Sequence, residues 1–361
     1  MPTSDLQQRP IPPPDPALLP LAGCPACGSR EARGLFPADC ASDNDVGEGE
    51  ARLLAQGLTP QDLALHRRSD FAACAGCGLI YARRRLTPEA AAPDYGRLLE
   101  IIEMRGYNRF PLPEDYCRGK QRSAAALLDA LGPHLPLGPD SAVLHVRCAG
   151  GQLLDEIRRR AGGQALYGLE FFEGPRRHAR EVLGLPHIAP LHLPEFENPF
   201  PRARFDVIFA NHLLTHAHDP ALVLARLDAA LAPGGLIVLH NELDHERFLT
   251  RRPLGYKRGV NVFHKQLLSP ATLALIVRRA GFAQRLLPQP ASGHDAWMTC
   301  LAWRPGERPD PGCPAPAADP EHLRRLFGEW RRAQAGYERR RRRKTWLRRL
   351  LGPLQPGKGR L

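Results

Sequence analysis

FDVIFANHLLTHAHDPALVLARLDAALAPGGLIVLHN, residues 205–241, reads as a buried strand, a polar turn, a helix, a hard stop and a second buried strand. Val207, Ile208, Phe209 and Ala210 form an apolar run too short for a helix. Leu236 to Leu239 form another, as expected of parallel strands covered on both faces. Between them, Asp219 and Pro220 supply an N-cap carboxylate and a first-turn proline, which gives up no amide the helix needs. Leu224, Leu227 and Leu231 then fall on one helix face. Pro233, Gly234 and Gly235 end the helix, because proline cannot continue it and glycine accepts a positive φ. The unit is strand–helix–strand. In an open α/β sheet the ligand crevice lies at the carboxyl ends of the strands, so Asn211, His212 and His216 stand beside it.

The same alternation extends outward. A helical pattern from Lys120 to Leu131 leads into strand-like Ala142 to Val146, then helix from Leu153 to Arg160 and strand from Ala165 to Leu169. Beyond residue 241, Ser269 and Pro270 start a helix that stops at Gly281, and Trp297 to Trp303 reads as a last strand. This is the pattern of a doubly wound, Rossmann-like α/β domain. The chain divides into a proline-rich stretch (1–20), a four-cysteine module (21–82), a connecting segment (83–119), the α/β domain (120–304), a proline-rich linker (305–320) and a basic tail (321–361).

With 361 residues and 43% hydrophobic content, the chain can bury a full core and is not wholly disordered. No apolar run approaches the roughly 18 residues of a membrane span, and no basic-then-apolar export signal opens the sequence. A cytoplasmic protein with reduced thiols is expected. The net charge of +12 is concentrated: residues 321–361 carry 12 Arg and 2 Lys against 3 Glu. The rest is nearly neutral and shows no aromatic–basic stacking platform, which argues against nucleic-acid binding. Within the tail, Leu323, Leu326, Phe327 and Trp330 recur at helical spacing, and Tyr337 extends that face. Such a basic amphipathic helix can dock on an anionic membrane surface or an acidic protein, giving a peripheral location.

Four of the nine cysteines occur as Cys24-Pro-Ala-Cys27-Gly and Cys74-Ala-Gly-Cys77-Gly. Each pair sets two thiolates at the separation a tetrahedral ion needs, with glycine permitting the tight turn behind them. Two pairs make a closed four-thiolate zinc site, structural because it leaves no open position.

The run Val143-Leu-His-Val-Arg-Cys-Ala-Gly-Gly151 occupies the first strand-to-helix turn, where backbone approaches a ligand and free helix amides point outward. Glu170 ends the next strand, where an acid can accept both ribose hydroxyls of an adenosine cofactor. A nicotinamide enzyme would need G-x-G-x-x-G, which is absent.

From about Cys24 to Trp303 the chain resembles the class I S-adenosylmethionine-dependent methyltransferases, in particular the bacterial branch with an N-terminal zinc-binding module that includes sugar C-methyltransferases. The matching stretches are CPACG, CAGCGLIYARRRLTPE, the glycine turn, LYGLEFF, FDVIFANHLLTHAHDP, LAPGGLIVL and LLSPATLALIVRRAGF, in that order. The resemblance implies S-adenosylmethionine as cofactor, contacted by Cys148, Ala149, Gly150 and Gly151, with Glu170 on the ribose hydroxyls and Glu195 near the adenine. Asn211 and His212 would line the methyl-transfer site, with a small-molecule or sugar acceptor, such as a cell-surface glycan precursor.

Three departures stand out. The family turn reads acid-x-Gly-x-Gly-x-Gly, and here its first three defined positions hold His145, Arg147 and Ala149. A Glu-His pair of the family appears as Thr215-His216, and its His-Glu-His triplet as His264-Lys265-Gln266. Oxygen and carbon acceptors must lose a proton, and histidine has the pKa for that work, which makes His212, His216 and His264 the candidate catalytic residues. The degenerate turn also leaves open a methyltransferase-fold protein that binds without catalysing.

Overall fold

The computed structural model describes residues 18–37, 70–86, 108–162, 165–192, 197–200, 204–251, 264–287 and 297–308, with scattered positions between 319 and 340. Among the described residues the elements in chain order are β1 (Leu18–Pro20), β2 (Ala32–Pro37), β3 (Asp70–Cys74), β4 (Ile80–Ala82), β5 (Arg84–Leu86), α1 (Glu114–Leu131), β6 (Ala142–Val146), α2 (Gln152–Ala161), β7 (Ala165–Glu170), α3 (Glu173–Arg177), β8 (His187–Pro190), β9 (Phe205–Asn211), α4 (Pro220–Ala230), β10 (Leu231–Leu243), α5 (His245–Arg251), β11 (Gln266–Leu267), α6 (Pro270–Arg279), β12 (Ala283–Leu287) and β13 (Trp297–Trp303). Seven of them form one sheet in the spatial order β12-β13-β10-β9-β6-β7-β8. β6 to β10 run parallel, while β13 is antiparallel to both its neighbours. The chain reverses its direction of travel across the sheet between β6 and β9, where a doubly wound sheet opens its ligand crevice.

Period-two alternation sorts the strand side chains between two apolar layers. Val143, Val207 and Phe209 pack on one side with Leu128 of α1 and Leu154 and Ile157 of α2. Leu144, Ile208 and Ala210 pack on the other with Leu224 and Leu227 of α4 and Ile276 of α6. Asp219 caps α4 by accepting from the amides of Ala221 and Leu222, at 2.9 and 3.2 Å, as its place before Pro220 predicts. Ser269 and Thr272 close a capping box on α6.

The helix stop comes earlier than expected. α4 ends at Ala230, and Leu231 is already extended at φ −79°, ψ 135°, opening β10 instead of closing the helix face. Pro233 disfavours helical geometry in the residue before it and clashes with a carbonyl four residues back, so the last turn cannot form. Leu231 is nonetheless buried, and the register between β9 and β10 shifts between Leu231 and Leu236 to absorb the Pro-Gly-Gly segment. α1 starts at Glu114, before the expected Lys120, with Glu114 and Asp115 in its first turn facing the helix dipole favourably. β8, β11 and β12 are short and give no sequence signal.

The cysteine segments are joined to the α/β part by backbone. β2, β3 and β4 form an antiparallel sheet whose fourth strand is β11. Tyr81 pairs with Gln266 and Ile80 with Leu267, and the Ala82 amide donates to the Lys265 carbonyl at 2.9 Å. Arg85 is fully buried and its guanidinium donates to the carbonyls of Ala217, His218 and Lys265 and to Gln266 Oε1. Cys24, Cys74, Cys77, Leu79 and Tyr81 therefore share one apolar cluster with Leu213, Leu214 and Leu268. Of the basic tail, Leu326 packs against the patch formed by Phe71, Ala73, Ile80, Leu249 and Leu267, and His322 contacts Glu246 at 2.6 Å. Phe327, Trp330 and the segment beyond 340 lie outside the described residues, as do the proline-rich stretches. Among the described residues no helix is long and apolar enough to cross a membrane.

Candidate functional site

The turn after β6 is built on three alternating left-handed residues, Arg147 at φ 61°, Ala149 at φ 56° and Gly151 at φ 86°. Only glycine adopts that region without steric cost. Among the described residues the non-glycine positions with positive φ are these two, His212 at 50° and Asn241 at 56°. All four stand at the carboxyl ends of β6, β9 and β10. Backbone strain held in this way gathers at functional sites, because a packed scaffold keeps it from relaxing.

The turn is fastened to the neighbouring strand ends. Glu170 closes β7, and its carboxylate accepts from the amides of Ala149 at 2.8 Å, Phe171 at 3.0 Å and Phe172 at 3.3 Å. Burial pushes its carboxyl above the usual range, against Arg147 and the three amide bonds, which pull it down. Asn211 donates to the Arg147 carbonyl at 3.3 Å and accepts from Asn241 at 2.9 Å, tying the ends of three strands together. Cys148 turns its thiol into the apolar layer with Leu154 and Ile188, so what it presents to the crevice is backbone. A Cβ on Gly150 would lie 2.5 Å from Leu112 Cδ1, and one on Gly151 2.7 Å from Leu185 Cδ1, so a side chain at either position would push a leucine aside, and at Gly151 the positive φ adds backbone strain. Glu195 lies outside the described residues.

Arg147 shapes the mouth of the crevice. Its guanidinium donates to the His212 carbonyl at 2.5 Å and lies 5.8 Å from the Phe171 ring centroid, so the side chain spans from β6 to the loop after β9. His145, at the family's acidic position, is buried beside His240 with their Nε2 atoms 3.3 Å apart, and burial holds both imidazoles neutral.

The three candidate histidines, far apart in sequence, converge. His212 and His216 ring centroids are 4.7 Å apart, His212 and His264 5.1 Å, and His216 and His264 5.0 Å. His212 Nδ1 sits 2.9 Å from the Asn241 carbonyl, which can only accept, so Nδ1 carries the proton and Nε2 the lone pair. Burial lowers the pKa of His212 and His216 well below the ordinary value, and nearby Arg147 and the other imidazoles lower it further. Rings held neutral in this way keep an unprotonated nitrogen lone pair, while the same burial opposes adding a proton to it.

Glu242 holds this cluster in place, and nothing in the sequence marked it. Fully buried at the end of β10, it accepts from the amides of Leu213 and Leu214, each at 2.7 Å, and from the Thr215 amide and hydroxyl at 3.1 and 2.7 Å. Those bonds fix the loop that carries His212 and His216. Replacing Glu242 with glutamine turns a donor amide toward Thr215, and the expected loss is about 2–3 kcal/mol of stability in chemical denaturation, as for other unsatisfied buried groups. An unchanged midpoint would show that the loop holds itself.

Asp244 caps α5 through the Arg247 amide at 3.1 Å, and burial raises its pKa from 3.8 to about 6. A raised acid means that the folded state binds more protons than the unfolded state between pH 4 and 6, so its ionisation removes stability as pH rises through that window. Asp244→Asn keeps the cap and should be more stable than the parent by about 1–2 kcal/mol at pH 8. The advantage should vanish towards pH 4, and a constant difference between the two melting curves would show that the charge is not its source.

At the opposite end of the cysteine segments, Cys24 Sγ lies 3.6 Å from Cys77 Sγ and Cys27 Sγ 3.4 Å from Cys74 Sγ. All four sulfurs are within 4.8 Å of one another, a set able to hold a metal ion. The amides of Ala26 and Gly76 donate to Cys24 and Cys74 sulfur at 3.4 and 3.3 Å, and Gly28 and Gly78 take the positive φ the two knuckles require. The hydrogen bond from Cys77 pulls Cys24 down to about 5, and the same contact with burial pushes Cys77 up. Four thiolates share this volume only with a cation among them.

Residues 116–286 match the family model described as a methyltransferase domain, just under half of the chain. Among solved structures, a putative O-methyltransferase of Nostoc punctiforme is 15% identical over 62% of this chain and 78% of its own, with a TM-score of 0.44. An S-adenosylmethionine-dependent methyltransferase of Aquifex aeolicus is 18% identical over 53% and 98%, at 0.40. A possible histamine N-methyltransferase of Thermotoga maritima is 19% identical over 54% and 96%, also at 0.40. No curated protein matches the chain. The matched residues take in most of the sheet and the crevice just described, so the likeness to a methyltransferase domain falls on that part of the chain.

Proposed function

We propose that the protein transfers a methyl group from S-adenosylmethionine to a small-molecule or sugar acceptor, with a structural zinc ion in the four-cysteine site. The observation that carries this reading is the turn at residues 147–151. Two of its three left-handed positions have lost glycine, yet the backbone keeps the shape and stays bonded to Glu170. A left-handed non-glycine residue costs about 1–2 kcal/mol, and a turn with no ligand to serve would be free to relax.

The residues fit the cofactor unevenly. Glu170, with two lone pairs on each oxygen, can still accept ribose hydroxyls beyond its three amide bonds, and the turn brings backbone close. The methionyl side, placed by family resemblance, is crossed by Arg147, so occupancy requires that side chain to rotate away. The cofactor supplies an electrophilic methyl group on sulfur. This chain's own residues orient the acceptor and take its proton, for which His212 and His216 stand in the loop after β9 and His264 just before β11. Lys265, which burial followed by Arg85 brings down to about 7, and Gln266, bonded to Arg85 and to the Ala217 carbonyl, replace the family's Glu-His and do not carry its base over.

The Arg147 guanidinium is also what favours the second reading, a methyltransferase-fold binding protein without catalysis. Incubation with methyl-labelled cofactor and fractions of small metabolites separates the two. Label entering a low-mass product supports transfer, while cofactor binding with no labelled product in any fraction supports the binding protein. For the basic segment we retain docking on an anionic membrane or an acidic protein through its exposed arginines, since Leu326 is already engaged with the protein's own surface.

A further inference from the structure

We propose that His212, His216 and His264 form a second metal site, distinct from the four cysteines, that binds a divalent transition metal of the zinc and cobalt class and keeps one position open to an oxygen ligand. One ligating nitrogen from each ring lies within 4.8 Å of the others. His212 Nε2 and His264 Nε2 are 3.2 Å apart. Bonds of about 2.0–2.1 Å in tetrahedral geometry set ligand nitrogens roughly 3.3 Å apart, so this pair already spans one edge of the polyhedron. The three rings stand nearly perpendicular to each other, at 84°, 78° and 86°, which lets each aim an in-plane lone pair at a common point.

The tautomer agrees. His212 gives its Nδ1 proton to the Asn241 carbonyl, the outer-sphere bond that metal-ligating histidines ordinarily make, and this directs the Nε2 lone pair inward. Each ring is also held on a separately braced segment. His212 sits in a strained left-handed conformation just after β9, His216 in the loop that Glu242 binds, and His264 two residues before β11, which the cysteine-bearing sheet holds by pairing. Preorganisation of this kind separates a ligand set from a chance cluster. The imidazoles suit zinc, cobalt, nickel or copper better than magnesium or calcium. Three protein ligands are the number found in zinc sites that leave a place for water or substrate. His212 is the partly exposed member and marks the side from which that oxygen arrives. Arg147 bonds to the same residue's carbonyl, and its positive charge opposes the ion.

Metal binding does not depend on the methyltransferase reading, although a bound ion would occupy the imidazole lone pairs given above the task of taking the acceptor's proton, and the two can fail separately. The full-length chain, stripped with chelator under reducing conditions and reloaded with cobalt(II), should bind two equivalents. One should show the intense thiolate charge-transfer absorption of the cysteine site, the other only weak ligand-field bands. His216→Gln and His264→Ala should each lower the count from two to one and keep the charge-transfer band, which reports that the cysteine site is still folded. Arg147→Ala should tighten the weaker equivalent. If His264→Ala loses both ions because β11 detaches, His216→Gln, on a different segment, decides the matter. One equivalent in the parent chain, or two in His216→Gln, would overturn the second site whatever S-adenosylmethionine does in calorimetry.

Discussion

With the proposed zinc in the four-cysteine site, a Cys74→Ser chain should fail to hold the ion and should lose, with it, the geometry of a site built mostly from a different part of the sequence. Structural zinc contributes on the order of 10 kcal/mol to the small modules it closes, comparable with the whole stability of a typical domain. The loss would not stay local. The knuckle of Cys74 and Cys77 leads directly into β4, β4 pairs with β11, and His264 precedes β11. Arg85 adds a second tie from the same segment to the carbonyls of Ala217 and His218, behind the loop that carries His216. A displacement near 1 Å at reacting groups costs about 100-fold in rate, and we expect at least that loss of methyl transfer. Hydrogen exchange gives a readout that needs no acceptor. Peptides covering residues 264–267 should exchange far faster in Cys74→Ser than in the parent, together with those covering 80–86. Unchanged protection at 264–267 would mean that β11 is held by the α/β domain alone.

The second large effect is expected at Arg147. Its guanidinium is held by a charge-assisted bond to the His212 carbonyl and a contact with the Phe171 ring, together worth about 2–3 kcal/mol. At the lower end of that range, about 2 kcal/mol, a few per cent of molecules are open, and apparent affinity falls by the same fraction. Arg147→Gly removes the obstruction and restores the residue type that a φ of 61° prefers. Affinity for S-adenosylmethionine should rise on the order of 30-fold, with the enthalpy of binding more favourable once no protein contact must break. Weaker binding in the variant would reverse the assignment and make Arg147 a partner of the cofactor's carboxylate.

How much of this was legible in the sequence depends on the range of the interaction that fixed each part. β9, α4 and the main run of β10 are set by local chemistry, an apolar run, an Asp-Pro cap and a Pro-Gly-Gly stop, and they stand where residues 205–241 place them. The end of α4 moved to Ala230 because the restriction imposed by Pro233 reaches back further than the proline itself. The cysteine knuckles were equally readable, since spacing within each pair is a local property. What the sequence could not show is where the cysteine segments attach. β11 is two residues long and is defined by its partner β4, some 185 positions earlier. Arg85 ends a run of three arginines, and nothing in that run distinguishes it from its neighbours, yet it is fully buried. Glu242 looks like any acid near a strand end, and its role appears only when four donors from residues 213–215 close on it. In the sequence each histidine carries only its own chemistry. Their meeting, and so the idea of a shared ion, exists only in three dimensions.

Calorimetric titration of the zinc-loaded, full-length protein with S-adenosylmethionine, run beside Arg147→Gly, bears most directly on the central claim that the strained turn still serves an adenosyl cofactor. The account predicts saturable one-site binding in both proteins, tighter in the variant, and lost when Glu170 is replaced by alanine. Absence of binding heat at millimolar cofactor in both the parent and Arg147→Gly, with each protein folded, would contradict it.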